Sequence, residues 1–426
     1  MPSESIEIQP WQRPLDADVT IPGSKSYTNR ALLVAALAEG ETRLTDALFS
    51  DDTRYMSQAL QQLGVLVKPD AEACHFDITG NGGKIPVDGA ELYIGNSGTT
   101  ARSLVSYVAL GNGTFVIDGD EPMRRTRPIA DLLDALSGLG IDVRSQSDNG
   151  CLPVVVLARG FTGGKTQIDA SKSSQFLTSL MLTAPCTDDG LEIEMIGELK
   201  RQYIDITMAV MQAFGVVVEH EDYQTFRIAG GQRYQARSYA IEPDASNASY
   251  FFAAAAISGG RVRVDNISID SAQGDIHFVD VLERMGCTVH RYPDGIEVIG
   301  PAALKAIDVD MKELSDTSLT LAAIAPFADG PVTIRNIEHS RWQETDRIRA
   351  MTTELRKLGV EVVERRDGVT ISPSKITPAV IDTYQDHRIA MSFSLVGLKV
   401  SGIRINDPGC VSKTFPTYFE LLGSLG

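Results

Sequence analysis

Six short polar segments stand along the chain, each directly before a run of small and apolar residues that predicts a buried helix. They are GSKSYTNR (23–30), GNSGTTAR (95–102), SKSSQ (171–175), DASNAS (244–249), SDTS (315–318) and QDHR (385–388). The first turn of a helix exposes backbone N–H groups and carries partial positive charge, so it attracts anions. Serine, asparagine and glycine let the backbone approach an oxyanion, and lysine and arginine add charge-assisted hydrogen bonds. The segments therefore predict a site for a small polyanion.

Cations recur at equivalent ends of these units, namely at Lys25, Arg30, Arg127, Arg347, Arg388 and Lys413. Taken singly, each motif has an ordinary interpretation. Ser24 and Asp316 are suitable helix caps, Arg127 precedes a helix whose first residue is Pro128, and His387 has the character of a buried structural histidine. The recurrence of so many cations at one end of repeated units favours a shared anion site instead.

The elements that must position these residues form an internal repeat. A small-apolar helix is followed by an alternating strand, then by an amphipathic helix that runs through a glycine into the next strand. The glycines recur at intervals of roughly 64 to 76 residues: Gly64, Gly140, Gly215, Gly286, Gly359 and Gly423. Each unit resembles a βαβαββ arrangement. We expect an α/β fold with three units in each of two domains, helices inside and sheets outside, and a seam near residues 240–246.

The length, the net charge and the cysteine and glycine motifs exclude several classes of binding site. A chain of 426 residues exceeds one ordinary core, and its formal net charge of −17 argues against a broad nucleic-acid or membrane-binding face. The five cysteines are far apart, no CxxC or HExxH spacing occurs, and GGKT (163–166) lacks the upstream glycine of a phosphate-binding loop. We expect neither nucleic acid nor membrane as partner, no metal, and a cytoplasmic, reduced protein without a secretory signal.

The motifs together resemble a known family, the 5-enolpyruvylshikimate-3-phosphate synthases. The resemblance rests on PGSKSYTNRALL, GNSGTTAR, RPIADLLDAL, SSQFLT, YIDIT, GDIHFVDVLERMG, ETDRI, DHRIAMSFSL and SKTFPTYFE, in the family's order along nearly the whole chain. It implies an inside-out α/β prism of two lobes joined by a two-strand hinge. One lobe would comprise residues 1–20 and 242–426, and the other residues 21–241.

The resemblance also implies a reaction. The enolpyruvyl group of phosphoenolpyruvate would pass to the 5-hydroxyl of shikimate 3-phosphate, releasing phosphate by addition and elimination through a tetrahedral intermediate in an interdomain cleft. The pathway would be the shikimate route to chorismate and aromatic amino acids, and glyphosate would compete at the phosphoenolpyruvate site. No cofactor is implied, and we expect a monomer.

The family's functional residues carry over by motif. Lys25, Asp316 and Glu344 would be catalytic: Asp316 would orient or deprotonate the 5-hydroxyl, and Glu344 and Lys25 are candidates for proton transfer at the methylene carbon. The residues expected to bind shikimate 3-phosphate are Lys25, Ser26, Arg30, Ser173, Ser174, Gln175, Lys200, Tyr203, Asp316, His339 and Gln343. Those expected to bind phosphoenolpyruvate are Lys25, Asn96, Gly98, Arg127, Gln175, Arg347, Arg388 and Lys413.

Several positions depart from the family's pattern. Gln343 stands where many members have a lysine, His339 replaces an asparagine, and Lys200 aligns with a serine. We interpret Lys200 as supplying the positive charge that is missing at Gln343. Ser103 stands where one branch of the family commonly has a proline. Ser97 and Ser103 both lie near Gly98, and they bear on glyphosate sensitivity.

Two alternatives remain from the sequence. One is UDP-N-acetylglucosamine enolpyruvyl transferase, which shares the fold and the donor but typically has a reactive cysteine in the loop that here reads DGDEPMRRTRP (118–128). The other is a non-catalytic anion-binding paralogue that has drifted at positions 200, 339 and 343.

Overall fold

The computed structural model describes residues 5–426, and the chain within it divides into two compact units. One unit is continuous, Gly23–Glu242, and is called the middle unit below. The other, called the terminal unit, consists of Pro243–Gly426 together with the N-terminal segment that ends at Pro22. The chain therefore passes between the units twice, at residues 22–23 and 242–243.

The strands are, in chain order, β1 (Ser5–Glu7), β2 (Asp16–Thr20), β3 (Glu39–Thr45), β4 (Leu66–Asp70), β5 (His75–Asn81), β6 (Gly89–Tyr93), β7 (Asn112–Asp118), β8 (Asp142–Ser145), β9 (Val154–Arg159), β10 (Gly164–Asp169), β11 (Leu191–Ile196), β12 (Glu219–Glu221), β13 (Thr225–Ile228), β14 (Ser238–Ala240), β15 (Arg261–Asp265), β16 (Thr288–Tyr292), β17 (Gly295–Ile299), β18 (Ile307–Asp310), β19 (Val332–Arg335), β20 (Val362–Glu364), β21 (Val369–Ile371), β22 (Val380–Ile381) and β23 (Arg404–Asn406).

The α-helices are α1 (Lys25–Leu37), α2 (Asp51–Gln62), α3 (Gly98–Val108), α4 (Glu121–Arg125), α5 (Ala130–Gly138), α6 (Gln175–Thr183), α7 (Arg201–Ala213), α8 (Ala245–Ser258), α9 (Phe278–Arg284), α10 (Ser318–Ile324), α11 (Arg347–Lys357), α12 (His387–Gly397) and α13 (Tyr418–Ser424). Short 3-10 helices cover Ala184–Cys186, Gly274–His277, Lys312–Thr317, Ala325–Phe327, Glu338–Trp342 and Pro408–Lys413.

The middle unit contains three four-stranded sheets of one pattern. Their strand orders are β14-β3-β5-β4, β6-β7-β9-β8 and β10-β11-β13-β12. In each, the first pair is parallel and the other two pairs are antiparallel. A parallel pair requires a crossover, and here a buried helix supplies it in the second and third sheets. In the first sheet the parallel partner of β3 is β14, which comes from the C-terminal end of the unit.

In the terminal unit two sheets repeat this pattern and the third has three strands, with one parallel and one antiparallel pair. Its sheets have the orders β16-β17-β15-β2, β18-β19-β21-β20 and β1-β23-β22. Strand β2 pairs in parallel with β15, so that Asp16 faces Arg261 and Thr20 faces Asp265. Strand β1 pairs antiparallel with β23. The N-terminal segment thus completes two of the three sheets of this unit.

Each unit encloses three helices that pack against one another: α1, α3 and α6 in the middle unit, and α8, α10 and α12 in the terminal unit. Helix α8 has residues buried from Ala245 through Ile257, and its run of alanines lets neighbouring helices approach closely. Because these helices are buried along most of their length, their polar first turns are anchored to the packed core of the unit.

The predicted βαβαββ repeat is confirmed, and its recurring glycines have a physical reason. At the turn after the second helix of a repeat the backbone adopts a positive φ, which glycine tolerates best. The values are 85° at Gly64, 84° at Gly140, 86° at Gly215, 100° at Gly286 and 76° at Gly359.

Three local expectations were wrong. Gly423 lies inside α13 and marks no junction with a strand. The third unit's final strands begin at Glu219, after the apolar residues 216–218 that were expected to start them. Helix α5 begins at Ala130 with Ile129 as its cap, so Pro128 precedes the helix and is not its first residue. Each error concerns an end of an element, where tertiary contacts compete with local preference.

No helix within residues 5–426 has both the length and the apolar character that a membrane span would need.

The buried helices predict where the middle unit is most sensitive to truncation. Leu104 in α3 is fully buried, whereas Leu66 in β4 is 53% exposed. We expect Leu104→Ala to lower the free energy of unfolding by about 2–5 kcal/mol, because it removes buried methyl groups and leaves a cavity. Leu66→Ala, the same change at the surface, should cost less than about 0.5 kcal/mol. Urea denaturation of both variants checks this, and equal losses would contradict the buried-helix arrangement.

Candidate active site

The terminal unit carries a buried ion cluster centred on Arg347, the first residue of α11. Its side chain is 1% exposed. The guanidinium donates to both carboxylate oxygens of Asp386, through Nε at 2.8 Å and Nη2 at 3.2 Å. Asp386 is fully buried and also caps α12, accepting from the backbone N–H of Arg388 at 2.9 Å. One carboxylate thus fixes the starts of two helices.

Asp316 joins the same cluster from the 3-10 helix Lys312–Thr317. One of its oxygens accepts from Arg347 Nη1 at 2.9 Å and the other accepts from Arg388 Nη2 at 2.9 Å. Arg388 is itself buried, and its Nη1 donates to the hydroxyl of Tyr250 at 3.4 Å. The two arginines hold the carboxylate of Asp316 in a fixed orientation, with its side chain 15% exposed.

Glu344 forms the opposite edge of the cluster. Its Oε2 accepts from Arg347 Nη2 at 2.8 Å, and its Oε1 lies 3.3 Å from Lys413 Nζ. The amide oxygen of Gln343 accepts from Arg347 Nη1 at 2.6 Å. Gln343 therefore acts as a neutral partner of Arg347, where a lysine would place a second positive charge beside the guanidinium.

The electrostatics keep this cluster charged. Burial lowers the pKa of Arg347, but the carboxylates of Asp386, Glu344 and Asp316 raise it more, so the pKa lies above its ordinary value. For Arg388 burial again lowers the pKa, and Asp316 is the main group that raises it above the ordinary value. Both arginines stay cationic, as a site for anionic ligands requires.

The middle unit holds a buried arginine of a different kind. Arg30 in α1 is 3% exposed. Its donors go to neutral oxygens: the hydroxyl of Thr207 at 2.9 Å, the backbone carbonyls of Ser26 at 3.0 Å and Tyr203 at 3.1 Å, and the hydroxyl of Thr178 at 3.4 Å. Burial lowers the pKa of Arg30 to about 10, which still leaves the group protonated at neutral pH.

Lys25 is the first residue of α1, and Asp52 lies near it. Lys25 Nζ is 3.7 Å from Asp52 Oδ2, and Asp52 is almost fully buried near the start of α2. Ser24 occupies the cap position of α1 but makes no side-chain cap hydrogen bond. Its expected role as an N-cap through its hydroxyl is therefore wrong, and the first turn of α1 is left free of a side-chain cap.

A second arginine of the middle unit lies over the start of α3. Arg127 Nη1 donates to the backbone oxygen of Asn96 at 2.7 Å and to its side-chain oxygen at 2.8 Å. A Cβ placed on Gly98 would lie 2.4 Å from Arg127 Nη2 and 2.8 Å from Arg102 Nη1. A side chain at this position would therefore displace the guanidinium groups of Arg127 and Arg102, and Ser97 caps the helix next to it.

Gln175, the first residue of α6, has its amide orientation fixed by two neighbours. Arg102 Nη1 donates to Gln175 Oε1 at 2.6 Å, and Gln175 Nε2 donates to the hydroxyl of Thr99 at 3.1 Å. Arg102 also donates to the backbone oxygen of Pro128 and lies over the ring of Phe176. The side chain of Gln175 is thereby held at the start of α6.

The remaining predicted residues also lie at helix starts. Ser173 and Ser174 precede α6, where Ser173 Oγ accepts from the backbone N–H of Gln175 at 3.3 Å. Lys200 occupies the cap position of α7 and is 8% exposed, and Tyr203 lies in the first turn of that helix. His339 is half-buried on the 3-10 helix Glu338–Trp342 in the terminal unit.

The structure brings the predicted residues together within each unit. Asp316, Gln343, Glu344, Arg347, Arg388 and Lys413 form one bonded cluster, and Arg30 contacts Ser26 and Tyr203 while Arg127 contacts Asn96.

Sequence reasoning missed three residues that contact predicted site residues: Asp386 in the terminal unit, and Arg102 and Asp52 in the middle unit. Asp386 stands within QDHR and Arg102 within GNSGTTAR, so both motifs contained the signal. Nothing in the sequence near Asp52 pairs it with Lys25, which lies 27 positions away. In residues 5–426 no group of three or more histidine, cysteine or acidic side chains is arranged to hold a metal ion.

Comparison with known proteins gives a consistent result. The family model for EPSP synthase (3-phosphoshikimate 1-carboxyvinyltransferase) matches residues 11–422. A 3-phosphoshikimate 1-carboxyvinyltransferase of Nostoc sp. is 50% identical over 417 residues, which is 98% of each chain. One of Marinomonas sp. is 46% identical over 424 residues, which is 99% of each chain.

Solved structures agree with the sequence comparison. An EPSP synthase from Acinetobacter baumannii has a TM-score of 0.84 and 26% identity, covering 99% of this chain and 98% of that one. The enolpyruvyl transferase NikO from Streptomyces tendae has a TM-score of 0.76 at 19% identity, covering 100% of this chain and 98% of that one, and shows the shared fold.

The Arg347 cluster predicts a large cost for removing its central carboxylate. Asp386→Asn should lower the free energy of unfolding by about 3 kcal/mol, because it leaves a buried guanidinium with one charge fewer beside it. The matched change Asp308→Asn, at an exposed pair with Arg335, should cost less than about 1 kcal/mol. Urea denaturation at low ionic strength compares the two; a loss at Asp386 no larger than that at Asp308 would refute the central role of this carboxylate.

Proposed function

The chain belongs to the EPSP synthase family, and from that premise we propose how its residues bind the substrates and move protons. It is an enzyme of the shikimate pathway, which leads to the aromatic amino acids. It transfers the enolpyruvyl group of phosphoenolpyruvate to shikimate 3-phosphate. The observation that carries the proposal is the convergence of Arg347, Arg388 and Lys413 on two carboxylates, Asp316 and Glu344.

Phosphoenolpyruvate binds to cations that are already in place. In the terminal unit these are Arg347, Arg388 and Lys413, now paired with Asp316 and Glu344. The phosphate and carboxylate of the ligand take up donors that remain on these cations and displace part of the internal carboxylate contacts. Because the exchange replaces one anion by another, the buried cations are never left without a counter-charge.

The middle unit supplies the other contacts to phosphoenolpyruvate, namely Lys25, Asn96, Gly98, Arg127 and Gln175. The backbone at Gly98 is open to an oxyanion because no Cβ intervenes, and Arg127 lies directly over it. The amide of Gln175 is oriented by Arg102, so it presents a defined group to the ligand. Glyphosate, an anion that competes at this position in the family, would meet the same groups.

Shikimate 3-phosphate binds chiefly through the middle unit. Arg30 supports this role because, within residues 5–426, its buried guanidinium donates to neutral oxygens, so an incoming phosphate or carboxylate gives it a counter-ion. The hydroxyls of Ser26, Ser173 and Ser174 and the first turns of α6 and α7 add further donors, together with Lys25, Gln175, Lys200 and Tyr203. Asp316, His339 and Gln343 complete the set from the terminal unit.

The chemistry requires one base and one acid at each stage. Asp316 accepts the proton of the 5-hydroxyl while that oxygen attacks C2 of phosphoenolpyruvate, and Glu344 or Lys25 delivers a proton to C3. The product of this addition is a tetrahedral intermediate. In the elimination the roles reverse: the group that protonated C3 takes a proton back, the double bond re-forms, and the C2–O bond to phosphate breaks as Asp316 returns its proton to the leaving phosphate. Arg347, Arg388 and Lys413 stabilise the charge that develops on the leaving phosphate.

We further place the enzyme in the cytoplasm as a monomer that needs no cofactor. The scattered cysteines support a reducing compartment. The reaction itself moves protons and phosphate but no electrons, which is why residues that bind anions and transfer protons suffice for it.

The proposed activity is tested by measuring phosphate release with each of two acceptor substrates. Phosphate release from phosphoenolpyruvate should require shikimate 3-phosphate, and UDP-N-acetylglucosamine should not replace it. Asp316→Asn should lower kcat about a hundredfold or more, since it removes the proposed base. Asp308→Asn, an exposed carboxylate of the same unit, should leave kcat unchanged. Phosphate release that does not depend on shikimate 3-phosphate would overturn the substrate assignment.

Lys200 gives a test of how the shikimate half is bound. Gln343 is engaged by Arg347, whereas Lys200 is buried at the start of α7, where a positive charge supports phosphate binding. We expect Lys200→Ser to raise the KM for shikimate 3-phosphate by about tenfold, the effect of one charge-assisted hydrogen bond, with little change in the KM for phosphoenolpyruvate.

The matched control for this variant is Lys165→Ser, which alters a lysine of the same unit that is 79% exposed. Steady-state kinetics of both variants with each substrate in turn provide the measurement. An unchanged KM for shikimate 3-phosphate in Lys200→Ser would show that Lys200 does not compensate for Gln343.

A further inference from the structure

Asp275 is a buried carboxyl group that the substrate contacts above do not use. It lies on the 3-10 helix Gly274–His277, which packs against α8 and against the 3-10 helix that carries Asp316. Asp275 is 8% exposed, and its Oδ1 atom is shielded from solvent without a hydrogen-bond partner in the described part of the chain. Since a buried polar atom without a partner is costly, this carboxyl calls for a physical explanation.

Charged groups from four segments of the chain affect the ionisation of Asp275. They are Asp244 at the start of α8, Asp316 on the neighbouring 3-10 helix, Arg347 of α11 and Arg388 of α12. Both arginines already donate to Asp316. Among residues 5–426 no ion pair joins Asp275 to either guanidinium.

Helix α9 also packs against the 3-10 helix of Asp275 and carries Asp280, Glu283 and Arg284, of which Arg284 donates to the backbone oxygen of Asp308 at 2.9 Å. His277, at the end of the same 3-10 helix, lies 2.9 Å from Asp280 of α9, and both are largely exposed. Asp280 also forms an ion pair with Arg291. Within residues 5–426 neither His277 nor Asp280 forms an ion pair with Asp275.

Such a carboxyl is most stable in its uncharged form. Burial, first, and the carboxylate of Asp316, second, raise the pKa of Asp275 well above its ordinary value, while Arg388 opposes the rise. Two neighbouring carboxyl groups in a buried site do not both ionise readily, because each negative charge disfavours the other. Within the pair, Asp316 is the carboxyl group whose negative charge the arginines stabilise through direct hydrogen bonds.

We propose that Asp275 is a positioning residue for the reaction: an uncharged carboxyl group beside Asp316 that preserves the positive charge of Arg347 and Arg388 toward phosphoenolpyruvate. A further negative charge at this point would repel the anionic substrate and would compete with Asp316 for the arginines. The inference rests on the proposed assignment of Arg347 and Arg388 to phosphoenolpyruvate. It adds a residue that touches neither substrate.

The consequence is a pH dependence that one side chain controls. When the proton leaves Asp275 at alkaline pH, the added negative charge should raise the KM for phosphoenolpyruvate by roughly tenfold, the effect expected for one more charge near the arginines without direct contact to them. Asparagine has nearly the same shape and stays uncharged, so Asp275→Asn should show a much smaller rise. Other groups that titrate are common to both proteins and cancel in the comparison.

The kinetic experiment measures the KM of each substrate from neutral to alkaline pH in the full-length wild type, in Asp275→Asn and in Asp275→Ala. Asp280→Asn, at an exposed carboxylate nearby, is the matched control and should follow the wild type. Asp275→Ser supplies a second uncharged variant should asparagine not be accommodated. Superimposable alkaline profiles of the wild type and an uncharged variant would overturn the proposal, as would a selective change in the KM for shikimate 3-phosphate.

A spectroscopic measurement tests the proton itself without using activity. The infrared difference spectrum between the ligand-free wild type and Asp275→Asn at neutral pH should show loss of a protonated carboxyl band. Loss of a carboxylate band instead would refute the inference. A separate variant, Arg388→Lys, tests the underlying assignment: an unchanged KM for phosphoenolpyruvate there would refute the role of Arg388 while the infrared result stands by itself.

Discussion

A single buried guanidinium organises the terminal unit. Arg347 bonds to Asp386, Asp316, Glu344 and Gln343, which come from three different segments of the chain. A buried guanidinium without carboxylates around it would destabilise the fold, and buried carboxylates without the guanidinium would do the same. The starts of α11 and α12 and the 3-10 helix before α10 are therefore fixed relative to one another. This mutual dependence gives the proposed base, Asp316, its orientation.

The buried arginines of the two units have different partners. In the terminal unit the cations are paired with internal carboxylates, so that in the proposed function the ligand exchanges one anion for another. In the middle unit Arg30 donates to hydroxyl and carbonyl oxygens, and in the proposed function the anionic ligand supplies its counter-ion. The repeated fold makes both arrangements possible, because every repeat places the polar start of a buried helix at an equivalent position.

The net charge of the whole chain differs in sign from the local charge around the candidate site residues. A net charge of −17 describes the exterior, where many acidic side chains face water. The site collects a small number of cations and helix starts within buried surroundings, where their effect on a ligand is much stronger than that of distant surface charges. A strongly acidic enzyme can therefore act on substrates that carry several negative charges.

The sequence alone determined the repeat and the alternation of strands with two kinds of helix, and its resemblance to a family supplied most candidate site residues. The repeat and its elements are local features: a period of two or of 3.6 residues, or a glycine with positive φ at a turn, depends on about ten consecutive positions. The sequence also showed that Lys200 and Gln343 depart from the family's pattern. It did not show which side chains they contact.

Only the tertiary structure decided which side chain neutralises which. Asp386 lies 39 positions from Arg347, Asp52 lies 27 from Lys25, and Asp275 lies 41 from Asp316. Likewise β2 pairs with β15, and β14 with β3, across more than 190 positions. Such pairings depend on where the packed helices bring the chain, and the cost of an unpaired buried charge then selects the partners. The sequence showed which groups could do the chemistry, and the packing of six buried helices determined which of them meet.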